Sequence, residues 1–534
     1  MQEAYYPLGQ SEAAYTEVKA LYKSFGWDMV TNSNIQLPAL LCSLPLFHDL
    51  SSAIEQKRYH MMSLYTQTNV VNMMPLFADY KGTGKPILML LSPRGQLSFF
   101  DLFQSNTNYN VAISANSGAG KSVFTNEIAK CYCAIDAKIR IIDVGRSYKT
   151  NCELQGGQYI EFTKEAAICI NPFSFIQLKL EDGVDYDLSH IDKNQLLSLE
   201  DLDDQISMLK SIFLVSAGVP EDSPNYQLAD SFFEQAIIAS LQKYQTNSTY
   251  TTVYNELLAI DDASGIAREL AESIKSYTIH GIFGRYFEGS SNLDINNDFV
   301  VLELEELQGK GNLKFVVLLI LMLKISQDMY LSPRNQKKIC IIDEAWDLMA
   351  GGNTGKFIVT GYRRARRYNG SFITVTQKID DYAENATTAA CYSNAAIKIM
   401  LQQDLPKQVK LDDYTSKLLQ NVKSTAGVYS ELIIQMDKTT SLCRFIPDDL
   451  SLIIYSSKAE DTILRDMVRN NENLDTIKGL ERLLEIRTAY IEKFNRSPVT
   501  ANEELVKYIT THGYEQLLKM LGLIKPSVAL ERTP

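Results

Sequence analysis

The sequence predicts an α/β protein with a mainly parallel sheet, an all-helical insertion and a helical C-terminal region. Residues 110–143 carry a strand, a glycine-rich loop, a helix and a second strand in succession, which is the pattern of a β-α-β unit. Apolar strand patterns return at residues 298–304 and recur to residue 403, so the parallel sheet resumes there. Between them, residues 175–285 show amphipathic helical periodicity and few β-branched runs, and we interpret them as an insertion.

The remaining elements follow from local patterns in chain order. Residues 1–60 indicate a helical lead-in with an irregular stretch, and residues 65–110 alternate apolar and turn signals, which predicts short strands and hairpins. A hairpin across Asp437 and Lys438 is followed by helices to the end of the chain. After the insertion we predict a long helix at 312–330 and strands at 298–304, 337–344, 371–377 and 394–403.

Length and charge limit the classes of function. The 534 residues are enough for three to four domains of about 150 residues, or for one large domain with insertions. Lysine and arginine total 52 against 64 aspartate and glutamate, a net charge of −12. A protein that coats nucleic acid with its whole surface would be basic, so any DNA contact here must be a local patch.

Cysteine usage and the N-terminus favour a reduced, cytosolic compartment. The eight cysteines form no Cys-x-x-Cys pair, no zinc-ligand spacing and no disulfide framework. The first residues lack the basic start and apolar core of a signal peptide. The longest strongly apolar run, residues 315–323, is far shorter than the roughly 20 residues that span a bilayer.

Residues 115–122 read Ala-Asn-Ser-Gly-Ala-Gly-Lys-Ser, which matches the P-loop pattern with alanine in its first place. Glycines let backbone N–H groups curl around an anion, and the N-terminus of the next helix adds partial positive charge. Lys121 is expected to reach the β- and γ-phosphates of ATP, and Ser122 to bind Mg²⁺. The predicted nucleotide-binding residues are Asn116, Ser117, Gly118, Ala119, Gly120, Lys121, Ser122 and Val123.

Two adjacent acids follow the apolar strand pattern at residues 339–342. The carboxyl end of such a strand lies at the ligand-binding edge of a parallel sheet. We therefore predict that Asp343 binds Mg²⁺ and that Glu344 acts as general base toward the attacking water, the Walker B arrangement of ATPases. Asp343 and Glu303 are the next candidates for the base. The water-activating pair argues against a P-loop kinase or a nucleotide-dependent scaffold.

Polar residues near the next strand complete the predicted catalytic set. Gln377 ends that strand, where it can touch the γ-phosphate or orient water. Residues 361–368 carry four arginines, which suit either an arginine finger that reaches a neighbouring subunit's phosphate or the basic lining of a pore. Arg366 is the first candidate for the finger and Arg367 the second, ahead of Arg363 and Arg364.

With these motifs the chain resembles the TraC-type ATPases of conjugative type IV secretion systems over roughly residues 35–455. The Asp-Glu-Ala-Trp run at residues 343–346 is fairly specific to this setting, whereas the P-loop is not. The other segments that carry the resemblance are residues 108–122, 142–147, 170–173, 284–289, 301–307, 362–368 and 376–377.

The resemblance implies a RecA-like P-loop core in a hexameric ring that hydrolyses ATP at the cytoplasmic face of the inner membrane. It implies a role in pilus assembly and substrate transfer. The expected partners are further copies of the chain, inner-membrane components of the secretion channel and the coupling protein. The alternative is a DNA-pumping translocase of the FtsK, HerA or coupling-protein type, which shares the fold and the nucleotide contacts.

The resemblance also divides the chain into five segments. Residues 1–64 would be a remnant of, or a linker from, the N-terminal domain of the family, most of which we expect to be missing. The RecA-like domain would then comprise residues 65–174 with the P-loop and residues 286–458 with Walker B. The all-helical insertion occupies residues 175–285 between its two parts, and residues 459–534 form the helical C-terminal region.

Overall fold

A computed structural model describes residues 11–24 and 80–523, with gaps at 164–165, 177–199, 221, 345–364 and 457, and a few isolated positions before residue 80. The chain divides into two units, residues 1–78 and 79–534. The described element of the first unit is helix α1, Ser11–Ser24. The rest of the fold concerns the second unit.

A mixed sheet forms the centre of the second unit. Six of its strand pairings are parallel and run through seven neighbouring strands, which confirms the predicted mainly parallel sheet. The strands are β1 (Leu88–Leu91), β2 (Leu97–Phe100), β3 (Val111–Ser114), β4 (Lys138–Asp143), β5 (Gln158–Glu161), β6 (Phe299–Glu303), β7 (Lys338–Ile342), β8 (Gly370–Thr376), β9 (Ile397–Leu401), β10 (Ser424–Thr425), β11 (Tyr429–Met436) and β12 (Thr439–Phe445).

The order of strands across the sheet is β2-β1-β12-β11-β9-β3-β8-β7-β4-β6-β5, with β10 paired to β11. Strands β9 to β5 in this order are parallel, and the strands from β11 to β2 extend the sheet in antiparallel pairing. The pairing of Met436 with Thr439 confirms the predicted hairpin across Asp437 and Lys438. The short strands predicted before residue 110 are found as the β1–β2 pair at one end of the sheet.

Helices cover both faces of the parallel strands, so strands such as β6, β7 and β8 are buried along their whole length. Successive side chains point to opposite faces. In β7, Ile339 and Ile341 pack in the core that includes Phe124 of the helix after the P-loop. Cys340 and Ile342 pack in the other core, which includes the long apolar helix beginning at Leu313.

The described part of the predicted insertion is helical, and the long helix lies within one residue of its predicted position at each end. The C-terminal helices share a third apolar core. The helices are α2 (Lys121–Cys133), α3 (Lys149–Leu154), α4 (Glu200–Ser216), α5 (Tyr226–Tyr244), α6 (Tyr250–Ala259), α7 (Ile266–Ile274), α8 (Leu313–Leu331), α9 (Ala386–Asn394), α10 (Asp413–Asn421), α11 (Asp449–Tyr455), α12 (Ala459–Glu472), α13 (Thr476–Phe494), α14 (Pro498–His512) and α15 (Tyr514–Leu521). Within the described ranges, no helix combines the length and apolarity needed to cross a bilayer.

The parallel strands bring distant segments to one edge of the sheet. In register, Ser114 of β3 pairs with Thr376 of β8, and Asp143 of β4 pairs with Glu303 of β6. Because β8 lies between β3 and β7, the segments that follow all three strands emerge side by side. This edge holds the candidate site.

Candidate nucleotide-binding site

The loop between β3 and α2 has the backbone geometry that its glycines allow. Gly118 has φ +81° and Gly120 has φ +94°, in the left-handed region that glycine adopts without steric cost. The carbonyl of Ala119 accepts hydrogen bonds from the hydroxyls of Ser424 and Ser430, at 3.2 and 3.0 Å. A Cβ atom on Gly120 would clash with the Ser430 hydroxyl. The β10–β11 segment therefore fits closely over the loop.

A cavity of about 470 Å³ opens against this loop. Its other walls include the edge residues Asp343, Glu344 and Gln377, the segment 424–430, and parts of α13 and α14. Ala119 is buried, and the Asn116 N–H donates to the carbonyl of Gln402. The predicted nucleotide-binding residues that line the cavity are Ser117, Gly118, Gly120, Lys121, Ser122 and Val123.

Lys121 lies between the two predicted Walker B carboxylates. Its Nζ is 2.6 Å from Glu344 Oε1 and 3.2 Å from Asp343 Oδ1. Burial by itself would lower the pKa of Lys121, but the charges and hydrogen bonds of Asp343 and Glu344 outweigh burial and leave the pKa above its usual value. The lysine is therefore a fixed cation, paired with the two acids that follow β7.

Glu344 is held in an unusual backbone conformation. Its φ is +49°, which costs a non-glycine residue about 1 to 3 kcal/mol and is found mainly where function or surrounding structure requires it. The Glu344 N–H donates to Asp343 Oδ1 at 2.9 Å. Gln377 Nε2 donates to both carboxylate oxygens of Glu344, at 3.3 and 3.2 Å. The structure thus brings Lys121, Asp343, Glu344 and Gln377 together.

The structure adds residues that the sequence reasoning missed. The Tyr148 hydroxyl donates to Asp343 Oδ2 at 3.0 Å and lies 2.7 Å from Thr125 Oγ1 of α2. Burial raises the pKa of Tyr148, so its hydroxyl remains a donor. Tyr148 therefore fixes the orientation of the Asp343 carboxylate. Its only sequence signal was its place directly after the segment 142–147, which resembles the family.

A second carboxylate pair lies on the neighbouring strands. Burial raises the pKa of Asp143 well above its usual range, and the nearby charges of Asp343 and Glu303 add to this shift. Glu303 accepts hydrogen bonds from the N–H groups of Arg146 and Glu305, at 2.7 and 2.8 Å. These bonds hold Glu303 within the turns that follow β4 and β6, which distinguishes it from Glu344 beside the P-loop.

The two arginines predicted first as candidates for the finger do not line the cavity. Arg366 and Arg367 are exposed and occupy a short 3-10 turn, Arg366–Tyr368, just before β8 begins. Arg366 Nη2 donates to the carbonyl of Asn106 at 3.0 Å. Since the seven residues of β8 separate the two edges of the sheet by about 20 Å, neither side chain reaches the P-loop of its own chain. Arg363 and Arg364 lie outside the described residues.

The donors at the cavity fit Mg²⁺. This ion prefers oxygen ligands and is usually held by one or two carboxylates together with substrate phosphates and water. Asp343 and Ser122 both line the cavity and supply oxygen donors of that type. Tyr148 and the Glu344 N–H orient the Asp343 carboxylate in advance. Asp343 and Ser122 are therefore the residues that would hold the ion.

The model of the family described as the TraG P-loop domain matches residues 82–440, about two thirds of the chain. The chain belongs to this family. Over 472 residues it is 29% identical to the protein TraC of Escherichia coli strain K12, which confirms the resemblance found in the motifs. That match covers 82% of this chain and 50% of TraC, so the chain spans about half the length of the curated relative.

A solved structure supports the fold. The structure of VirB4 of Thermoanaerobacter pseudethanolicus matches with a TM-score of 0.54 and 20% identity, covering 69% of this chain and 98% of that chain. Together with the family match, this likeness confirms the predicted RecA-like P-loop fold.

Gly120→Ala tests the fit of the loop under the β10–β11 segment. The alanine must adopt a positive φ and also clash with Ser430, so we expect the free energy of unfolding to fall by about 1 to 3 kcal/mol in chemical denaturation. Gly95→Ala is the matched control, because Gly95 has φ +84° and open space around it. Adding Ser430→Ala to Gly120→Ala should recover part of the loss. Equal losses for the two glycine variants would contradict the described fit.

Proposed function

We propose that this chain is the ATP-hydrolysing motor portion of a type IV secretion or conjugation machine. The observation that carries the proposal is the convergence of Lys121, Asp343, Glu344 and Gln377 at the carboxyl ends of three adjacent strands. Membership of the TraG P-loop domain family and the similarity to TraC support the same conclusion.

The loop is suited to bind a triphosphate. Helix α2 begins at Lys121, so its first N–H groups and its partial positive charge face the cavity. The Lys121 ammonium adds a whole positive charge, which offsets part of the negative charge of the β- and γ-phosphates. Mg²⁺, held by Asp343 and Ser122, would further neutralise the phosphate oxygens when bound.

Phosphate binding also activates the base. The Glu344 carboxylate is paired with Lys121 at 2.6 Å, so the ammonium occupies the oxygen that would accept the proton of water. A triphosphate competes for the same ammonium and releases Glu344, while Gln377 keeps the carboxylate in position. Glu344 then accepts the proton of the water that attacks the γ-phosphate. Hydrolysis is thereby restricted to the state in which substrate fills the loop.

The assembly proposed for the chain is a homo-oligomeric ring, a hexamer, with each nucleotide at a subunit boundary. The distance between Arg366 and its own P-loop supports a role in the next subunit, where it would stabilise charge in the transition state. We further propose that the ring is peripheral at the cytoplasmic face of the inner membrane. Its partners there would be channel components and the coupling protein.

Glu344→Gln separates binding from hydrolysis. The amide keeps the size of the side chain but cannot accept a proton, so we expect turnover to fall by about 10²-fold or more while ATP still binds. Phosphate release and equilibrium binding of ATP measure the two effects. Glu305→Gln is the control, because Glu305 is a carboxylate paired with Arg146. Normal turnover by Glu344→Gln would show that another residue is the base.

Mixing two inactive variants tests the arginine in trans. Lys121→Ala removes the phosphate contact and Arg366→Ala removes the finger, so each alone should lose turnover. In mixed rings some interfaces combine an intact loop from one parent with an intact arginine from the other, and these should recover activity. The control is Arg334→Ala, an exposed arginine beside Tyr368, which should retain turnover alone.

Co-assembly of the two variants must be shown by mass measurement in the same samples. Recovery without co-assembly, or co-assembly without recovery, would contradict the role of Arg366. In the second case Arg367, Arg364 and Arg363 would be tested next. Strong stimulation of the wild-type ATPase by DNA would instead favour the DNA-pumping translocase.

A further inference from the structure

The nucleotide cavity extends beyond the P-loop to the C-terminal helices, where two buried polar atoms are unpaired. Arg487 of α13 and Asn502 of α14 both line the cavity. Arg487 is 3% exposed and Asn502 is 8% exposed, and neither Arg487 Nε nor Asn502 Oδ1 has a hydrogen-bond partner. A buried unpaired donor or acceptor is costly, so a ligand group that pairs with it gains affinity.

We propose that this part of the cavity is a purine-base subsite that selects adenine, with Asn502 Oδ1 accepting a hydrogen bond from the 6-amino group. Arg487 Nε supplies a donor for a ring nitrogen of the same base. The inference rests on the proposed function, because a base reaches the subsite only if the phosphates of the nucleotide occupy the P-loop.

The β10–β11 segment connects the loop to this subsite. Ser424 and Ser430 contact Ala119 of the P-loop. A Cβ atom built on Gly427, at the tip of the same segment, would lie 3.3 Å from Val499 of α14. Three positions separate each serine from Gly427 and span at most about 10 Å, so the base of a nucleotide bound at Lys121 has only a short distance to cover.

The cavity also has apolar walls suited to an aromatic ring. Pro447, Leu452, Pro498 and Val499 are among its lining residues. Small-molecule sites typically combine such apolar surfaces with a few polar groups that fix orientation. Here the apolar residues would contact the faces of the base, and Asn502 and Arg487 would contact its edge.

The amide of Asn502 is fixed in the orientation that favours adenine. Its Nδ2 donates to Asp461 Oδ1 at 2.8 Å. A carboxylate only accepts hydrogen bonds, so the amide nitrogen must face Asp461, which leaves Oδ1 as the unpaired acceptor of the amide. Adenine presents a 6-amino donor to this acceptor. Hypoxanthine and guanine present a 6-carbonyl instead, and two acceptors then oppose each other.

The test is a calorimetric titration of the full chain with ADP, inosine diphosphate and tripolyphosphate. Inosine diphosphate replaces the 6-amino group by a carbonyl, and tripolyphosphate has no base. For the wild-type chain we expect ADP to bind about tenfold or more tightly than inosine diphosphate. In Asn502→Ala the ADP affinity should fall to that of inosine diphosphate, with tripolyphosphate binding unchanged.

Asn471→Ala is the matched control, because this asparagine of α12 donates to the carbonyl of Met467 and should preserve the ADP preference. The comparison of ADP with inosine diphosphate on the wild-type chain needs no substitution, so it tests the subsite even if Asn502→Ala is poorly folded. Equal affinities of the wild-type chain for the two nucleotides would overturn the subsite. So would an unchanged ADP preference in a folded Asn502→Ala variant.

The same titrations distinguish the subsite from the proposed function. Binding of tripolyphosphate that is lost in Lys121→Ala supports the P-loop assignment whatever the base preference. Nucleotide and tripolyphosphate binding that are both absent from the wild-type chain would overturn the proposed function and the subsite with it.

Discussion

The candidate site depends on one interaction, the ion pairing of the Lys121 ammonium with the carboxylates of Asp343 and Glu344. The lysine begins the helix after the P-loop, and the acids follow a strand more than 200 residues later in the chain. Their contact places one positive charge between two negative charges at the edge of a buried sheet. The same cation faces the phosphate-binding loop and the Glu344 carboxylate, so a bound phosphate would compete with Glu344 for it.

The order of the strands makes this interaction possible. Strand β8 lies between β3 and β7, so Gln377 emerges between the P-loop and the two acids and donates to both oxygens of Glu344. Tyr148, after β4 on the other side of β7, holds Asp343. The two acids are therefore oriented from opposite sides by residues of neighbouring strands.

The sequence predicted the parts of the site that local patterns describe. Apolar runs followed by Asp343 or Gln377 located the strands and their functional ends. Other contacts have no local pattern, because they join segments that are distant in the chain. Ser430 meets the P-loop across 311 positions, and Asn502 lies on a helix whose sequence indicates only amphipathic packing. The arginine run predicted a finger. The structure adds that Arg366 lies just before β8, at the opposite edge of the sheet from the P-loop of its own chain.

On the proposed mechanism, nucleotide takes Lys121 away from Glu344. A high-resolution structure of the chain with Mg²⁺ and a non-hydrolysable ATP analogue would show whether it does. We expect Lys121 Nζ to contact phosphate oxygens and to lie beyond hydrogen-bond distance of Glu344 Oε1, while Gln377 still donates to Glu344. An analogue seated in the P-loop with the Lys121–Glu344 pair intact at 2.6 Å would refute this mechanism.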